Sequence, residues 1–377
     1  MTTSEILILG AGVIGLSIAR EAHRRGFRNI RILEKGRVGR EASWAAAGIL
    51  APQVEANSAD DFFDLCFESN RMYDGFAAAL FEETGVDIEL DSCGTLYAGF
   101  NELDSHEFDT RFAWQKAAGL NVERLTKAET LKIEPALSPK IRESLRFPHD
   151  RQVENRKLVE ALSAYARSNE IEVIENQPVR QILVESDRVT GVRSSERSYL
   201  ADQVVIATGA WTSFIELGED TLPLEVRPIR GQMISFRLGE TRLKHVIYSH
   251  RGYVVPRADG RLLAGATVED VGFDKSTTEM GVSKLREMAA EIAPSIRDLT
   301  IQDTWAGLRP MSADGRPVIG AIPGVEGLSI AAGHYRNGIL LSPMTAKLIV
   351  DLITGDKSNK FLNRFGLGFD RERIAGR

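Results

Sequence analysis

Cysteine is nearly absent: Cys66 and Cys93 are the only two in 377 residues. They lack partners at CxxC spacing, so they supply neither a zinc site nor a disulfide framework, no metal site is expected, and a reducing cytoplasm is the expected compartment. Long apolar runs are missing too. A bilayer-spanning helix needs about 18 or more apolar residues, and the nearest approach, Gly338 to Ile353, is interrupted by Lys347 and Asp351. The start, Met1-Thr2-Thr3-Ser4-Glu5, has none of the basic flank or cleavage pattern of a signal peptide before the chain turns apolar at Ile6. An excess of positive charge is also lacking. The formal net charge is -6 and the pI about 5.7, which offers no footprint for nucleic acid or an anionic membrane. Internal repeats and low-complexity tracts do not occur. What remains is a globular balance, 43% hydrophobic and 27% charged. At roughly 100–200 residues per domain, the length corresponds to two or three folding units.

The chain opens with an apolar run, residues 5–9, ending at glycine, as a buried parallel strand does. Residues 13–25 carry Ile14, Ile18 and Ala22 at four-residue spacing and end in Arg24-Arg25-Gly26, the pattern of a helix with its C-terminal signals. A second strand, Asn29 to Leu33, leads to Glu34. Further on, the periodicity predicts helices over 60–84, with Phe63, Phe67 and Arg71 along one face, and over Arg156 to Arg167. It predicts strands at Glu172 to Glu175, Val179 to Val184 and Asp202 to Thr208. From 225 to 267 the character changes to successive strands: Gly231 to Phe236, Gly252 to Pro256 and Arg261 to Ala266, the last two joined by the turn Ala258-Asp259-Gly260. Helices over Val282 to Ile292 and Ile339 to Ile353 follow. The expected fold is α/β, α+β overall: a Rossmann-type dinucleotide domain interrupted twice by an antiparallel-sheet substrate domain.

Gly10-Ala11-Gly12-Val13-Ile14-Gly15 matches GxGxxG between that first strand and helix. The first glycine allows the tight turn, the second lets the backbone approach a pyrophosphate, and the third lets helix pack on strand. The helix N-terminus behind them favours anions. Glu34 follows about 20 residues on, where a carboxylate accepts hydrogen bonds from a ribose and repels the extra phosphate of NADP. GxGxxG alone is a weak signal; strand, helix and acid in the right order make it strong. The small-residue stretch Arg40 to Gly48 permits close approach to a second part of a large cofactor, although an ordinary loop has the same composition. No second GxGxxG is present. One dinucleotide at the extreme N-terminus fits a flavoprotein reduced directly by its organic substrate.

Six stretches are recognisable as a set: Arg40 to Gln53, Ala207 to Trp211, Arg230-Gly231-Gln232, Gly252 to Arg257, Trp305 to Pro310 and Gly333 to Leu341. Together they resemble the bacterial glycine oxidases of thiamine biosynthesis, within the D-amino-acid oxidase superfamily of FAD-dependent proteins. The resemblance runs through essentially the whole chain. It implies an FAD-binding domain over 1–55, 148–222 and 305–377 and a substrate-binding domain over 56–147 and 223–304. By the same resemblance, Gly10, Gly12, Val13, Ile14 and Gly15 hold the diphosphate, and Glu34 and Lys35 the adenosine end. Ala42, Ser43, Gly48, Ile49 and Leu50 hold the diphosphate and isoalloxazine, and the Val179 backbone meets the adenine. His334, Tyr335, Arg336, Asn337, Gly338, Ile339 and Leu340 form the loop under the pyrimidine edge. Arg309, Tyr253 and Arg336 form the substrate-carboxylate group, with Tyr248 in the same pocket. Val268 stands where some relatives carry methionine, which bears on pocket size. A sister group attaches flavin to a cysteine in the C-terminal third; this chain has none after Cys93, so non-covalent FAD is expected.

The chemistry of such a site asks mainly for positioning. A planar arginine fork suits a substrate carboxylate, which favours Arg309 with the Tyr253 hydroxyl as second donor. Outside the family pattern these two read as a surface ion-pair partner and a strand aromatic. No paired acid–base constellation stands out, and burial can neutralise the substrate amine without one. His334, a lone histidine beside a glycine turn, reads as structural. Arg336 is open to two roles, serving the flavin's negative charge or the substrate carboxylate. A helix starting near Gly338 would aim its dipole at the flavin. The expected partners are a small amino acid such as glycine, sarcosine, D-alanine or D-proline, and molecular oxygen. The resemblance adds a homo-oligomer and transfer of the imine product to a thiazole-forming enzyme. Two other readings stand beside this one: a dehydrogenase using a different electron acceptor, and a non-catalytic flavin-binding assembly or modification factor.

Overall fold

The computed structural model describes residues 3–367 apart from 196, 219, 223 and 240–242. In its opening strand, Ser4–Leu9, every residue from Ile6 to Leu9 is buried. Apolar residues at consecutive positions suit a strand covered on both faces. Ile6 and Ile8 point to one core, with Leu16, Leu158 and Leu348 of three helices. Leu7 and Leu9 point to another, with Ile182, Val192 and Ile330 of neighbouring strands. Parallel partners flank the strand, Ile30–Leu33 on one side and Ser198–Ile206 on the other. The expected strand–turn–helix–strand unit is present, its helix running Val13–Arg24.

Among the described residues the strands form a ten-stranded sheet, an eight-stranded sheet and a two-stranded pair. The first holds the opening unit and extends through Glu172–Ile174, Val179–Glu185, Arg188–Ser194 and Leu328–Ala332. The second runs in the order Ile301–Ser312, Val226–Arg237, Arg261–Gly265, Gly252–Pro256, Val246–Ser249, Thr95–Gly99, Glu143–Phe147, Glu123–Thr126. Its neighbours are antiparallel except for Val246–Ser249 against Thr95–Gly99. Alternation along the strands divides its side chains. Ile234, Phe236, Val254 and Leu262 pack under the helix Glu279–Ile292, through Leu285, Met288 and Ile292. Met233, Tyr248, Val255 and Leu263 pack on the other face, against Ala45, Ala47, Ala51 and Val54. The α/β class holds, with a nucleotide-type sheet and a largely antiparallel one. The strand Ile301–Ser312 pairs along its length with the second sheet. The helix Asp61–Thr84 packs on Asn155–Ser168 and Gly338–Ile353 of the first.

Two local differences have physical causes. The helix over Asp61–Thr84 turns Cys66, Ser69, Asn70 and Tyr73 inward beside Phe63, while Arg71 is exposed; a guanidinium without a buried acid stays in water. The helix Gly338–Ile353 contains Pro343, which has no N–H to give the carbonyl one turn back. That carbonyl, of Ile339, accepts instead from the Tyr73 hydroxyl at 2.5 Å, and the Leu340 carbonyl accepts from Ser69 Oγ at 2.7 Å. Polar groups of Asp61–Thr84 thus complete the first turn of the later helix. Among the described residues no helix is long and apolar enough to cross a membrane.

Candidate active site

A cavity of about 1000 Å³ lies between the two sheets. Gly10, Gly12, Val13, Ile14, Glu34, Lys35 and Val179 line one part of it, and Ala42, Ser43, Gly48 and Ile49 continue the wall. Tyr248, Tyr253 and Arg309 enter from the second sheet, and His334 to Ile339 close the remaining side. Three expected residues stand behind the lining. Gly15 faces the turn, where an added Cβ would meet the Gly10 carbonyl oxygen at 2.0 Å. Leu50 and Leu340 point into the apolar core at 0% and 1% exposure.

At the glycine end, Gly10 has φ +102°, and an added Cβ would stand 2.5 Å from the Ala207 carbonyl oxygen. Only glycine fits there. Glu34 is buried, accepting from Ala11 N at 2.8 Å through Oε2 and from Gly36 N at 2.9 Å through Oε1. A carboxylate has about four lone-pair positions, so acceptor capacity is left for a ligand. Val13 N donates to Ser43 Oγ at 2.9 Å, an arrangement that leaves the Ser43 hydroxyl its own hydrogen for a further acceptor. Lys35 is pinned rather than free: its Nζ lies 3.6 Å from the Trp211 ring centre and 2.8 Å from Glu41 Oε1.

At the other end, the half-buried Arg309 guanidinium lies against Gly231, where an added Cβ would come within 2.3 Å of both terminal nitrogens. Nη1 donates to the Thr267 carbonyl at 3.0 Å. Among the described residues Arg309 makes no ion pair, and its fork faces the cavity with positive charge to spare. Burial pushes the Tyr253 phenol up and the nearby Arg309 and Arg336 cations pull it back only in part, so Tyr253 remains a donor at neutral pH. Its ring lies 5.4 Å from that of Tyr248. Tyr248 donates to Glu55 Oε1 at 2.9 Å, and Arg336 Nη2 reaches the same oxygen at 3.2 Å. Arg336 is exposed and its pKa is raised chiefly by Glu55. His334 is buried with Nε2 3.0 Å from Thr345 Oγ1, and burial lowers its pKa to about 3; it is neutral, as a structural histidine should be. The helix Gly338–Ile353 begins at the cavity wall, so its first N–H groups and positive dipole end face the same space.

The chain is 34% identical to the glycine oxidase of Pseudomonas aeruginosa over 94% of its own length and 95% of that protein's. It is 36% identical to the bifunctional protein ThiO/ThiG of Synechocystis over 97% of its length, spanning 54% of that longer protein. It matches the crystal structure of glycine oxidase from Geobacillus kaustophilus with a TM-score of 0.92 at 33% identity, covering 97% and 99% of the two chains. Residues 5–352 match the family described as FAD dependent oxidoreductase, DAO. The chain belongs to that family.

An FAD-dependent oxidoreductase needs room for a long dinucleotide and groups suited to both of its ends. The cavity lies at the top of the roughly 300–1,000 Å³ range of ligand pockets. It joins a glycine cradle and helix N-terminus, a carboxylate with acceptor capacity, and a second helix N-terminus. These residues fit FAD. The chain's motifs missed Glu55, which fixes both Tyr248 and Arg336. It closes the short helix Pro52–Glu55, and no local pattern distinguishes it from a surface acid. They also missed Thr267, whose part is played by a backbone carbonyl and leaves no mark on residue type. Among the described residues no cluster of His, Cys, Asp or Glu is arranged to hold a metal ion.

Proposed function

We propose that this chain oxidises the amine of glycine or a similarly small amino acid, with FAD held non-covalently and oxygen as final acceptor. The observation that carries the reading is Arg309: a half-buried cation without an acidic partner among the described residues, laid over Gly231 beside the Tyr253 hydroxyl in the cavity that suits FAD. A substrate carboxylate supplies the missing charge through two parallel hydrogen bonds. Bound FAD supplies the two-electron oxidant that accepts the hydride lost from the substrate carbon. The chain's part is to orient the zwitterion and exclude water. His334 is neutral and engaged with Thr345, so no proton role falls to it. The substrate amine must reach its neutral form through burial.

For glycine, oxygen and water the net products are glyoxylate, ammonia and hydrogen peroxide, the imine first formed being hydrolysed. Arg336 lines the same cavity but shares its charge with Glu55, which leaves Arg309 the better placed carboxylate fork. The flavin stays unlinked because Cys66 is buried in the core, Cys93 lies outside the cavity lining, and no cysteine follows. The names of the relatives support a place in thiamine biosynthesis, and the bifunctional ThiO/ThiG relative supports transfer of the imine to a thiazole-forming enzyme. The deciding experiment mixes the yellow protein with glycine, sarcosine, D-alanine or D-proline without air, then admits air. Bleaching followed by rapid return of colour and peroxide is expected. Bleaching without rapid return would make it a dehydrogenase, and no bleaching by any of them a flavin-binding scaffold. Arg309→Leu is expected to keep the yellow colour and lose substrate affinity; loss of FAD instead would assign Arg309 to the cofactor.

A further inference from the structure

Arg309 is aimed from behind. Its Nη1 donates to the Thr267 carbonyl at 3.0 Å and, more weakly, to the Arg230 carbonyl at 3.5 Å. Both carbonyls belong to a short ladder that carries the sheet beyond Gly265. Arg230 N donates to the Glu269 carbonyl at 2.9 Å, Glu269 N to the Arg230 carbonyl at 3.0 Å, and Gln232 N to Thr267 Oγ1 at 2.9 Å. Alternation puts Gly231, Met233, Ala266 and Val268 on the cavity side; Arg230, Gln232, Thr267 and Glu269 fall outside the lining.

On that back face the side chains lock together. Arg230, 5% exposed, donates through Nε to Glu269 Oε2 at 2.8 Å and through Nη1 to Asp274 Oδ2 at 2.6 Å. Gln232, 0% exposed, gives its Nε2 hydrogens to both Glu269 oxygens at 3.1 and 3.0 Å, and its Oε1 accepts from Thr278 N at 2.8 Å. Thr267 Oγ1 donates to Glu269 Oε2 at 3.1 Å. Burial works against the Glu269 charge, yet the bonds from Gln232, Arg230 and Thr267 outweigh it and hold its pKa below the usual carboxylate range. Glu269 is therefore the hub joining the two strands that carry the carbonyls facing Arg309.

We propose that Glu269, with Arg230 and Gln232, is a positioning group for the carboxylate-binding arginine: the cluster fixes the Thr267 and Arg230 carbonyls, and these aim the Arg309 fork into the cavity. The proposal rests on Arg309 as the carboxylate fork. A two-bond grip requires both nitrogens aligned with both carboxylate oxygens, so slack in the ladder reaches the substrate as lost affinity.

The test uses the FAD-loaded protein and acetate, a carboxylate with no amine to oxidise, titrated against the flavin absorbance. Glu269→Ala is expected to weaken acetate binding and raise the KM for glycine by about tenfold to a hundredfold. FAD content should be retained and kcat should stay within about threefold of the parent, since binding is lost without loss of chemistry, while the melting temperature falls because the buried Arg230 and Gln232 lose an acceptor. Glu269→Gln keeps an acceptor and should restore part of the loss. Unchanged acetate affinity and KM in Glu269→Ala, or a fall in kcat alone, overturns the proposal. If Glu269→Ala yields no yellow protein, Glu269→Gln decides: acetate affinity weakened by about threefold or more supports the proposal, and parental affinity overturns it. Arg309→Leu run in parallel separates the two layers. If it binds acetate like the parent, the carboxylate-fork reading fails; if it does not and the Glu269 variants do, only the positioning role fails.

Discussion

Gly231→Ala isolates the substrate grip from everything else in the molecule. Gly231 sits in the strand Val226–Arg237, opposite Gly307 of Ile301–Ser312, and is not among the glycines with positive φ. Alanine therefore meets no backbone strain. Its Cβ would stand 2.3 Å from the two terminal nitrogens of Arg309 and 2.4 Å from Cζ. Carbon contacts are comfortable from roughly 3.5 Å, so the guanidinium must retreat by about 1 Å. It is the far end of a flexible, half-buried side chain, so the fold should lose less than about 1 kcal/mol. The retreat pulls Nη1 from the Thr267 carbonyl and misaligns the fork. A 1 Å misplacement of a positioned group costs about a hundredfold, or about 2.7 kcal/mol in the barrier for kcat/KM. The assay is the initial rate of peroxide release over a range of glycine concentrations, with flavin absorbance counting sites. A kcat/KM within threefold of the parent, at full FAD content, would show that the fork does not need its place over Gly231. Loss of the flavin would show that this strand serves the cofactor.

Gly10→Ala should act at the other end of the cavity: a φ of +102° and a Cβ 2.5 Å from the Ala207 carbonyl oxygen cost about 1–3 kcal/mol in strain alone. Colourless protein with a lowered melting temperature is the expected result, and yellow protein of parental stability the refuting one. His334 sets a pH dependence of stability. Its pKa falls from about 6.5 to about 3 on folding because the ring is buried. The unfolded chain therefore binds the extra proton between those values, and stability falls as pH drops below 6.5. By linkage the loss is about 2 kcal/mol at pH 5 relative to pH 8. His334→Asn removes this term, so the difference in urea unfolding free energy between parent and variant should change by that amount over the range. A pH-independent difference refutes the burial of a neutral imidazole.

The dinucleotide unit was legible because its determinants are close in sequence. Residues 5–34 contain the strand, the turn glycines, the helix and the acid, and Glu34 answers to N–H groups of Ala11 and Gly36. The second sheet was legible where short apolar runs are bounded by glycine, proline or the turn Ala258-Asp259-Gly260. Gly252–Pro256 stands as read, Arg261–Gly265 stops one residue short of the expected Ala266, and Gly231–Phe236 is the middle of a strand that runs from Val226 to Arg237. Thr95–Gly99 escaped although its five residues are all buried, and burial shows no alternation along it. Ile301–Ser312 begins with four residues in a row that are not buried, so burial does not alternate there either. The helix Glu102–Ala117 also escaped, although Asn101 and Asp104 form a reciprocal cap at its start. With Phe108, Arg111 and Gln115 among its few buried residues, it carries no continuous apolar stripe.

The family resemblance marked the cationic and phenolic side chains suited to an amino acid; residue types and their spacing were enough to specify a dinucleotide cradle and an α/β chain with an added antiparallel sheet. These follow from backbone sterics and side-chain period, which act over a few residues. The tertiary structure decided which of those side chains share a space. Arg309 meets the Thr267 carbonyl across 42 residues, Tyr248 meets Glu55 across 193, and Arg336 meets the same acid across 281. Contacts at such distances are chosen by the packing of whole sheets against each other. Among the described residues, that packing leaves Arg309 without an acid and ties Arg336 to Glu55, a division that no local pattern could foretell.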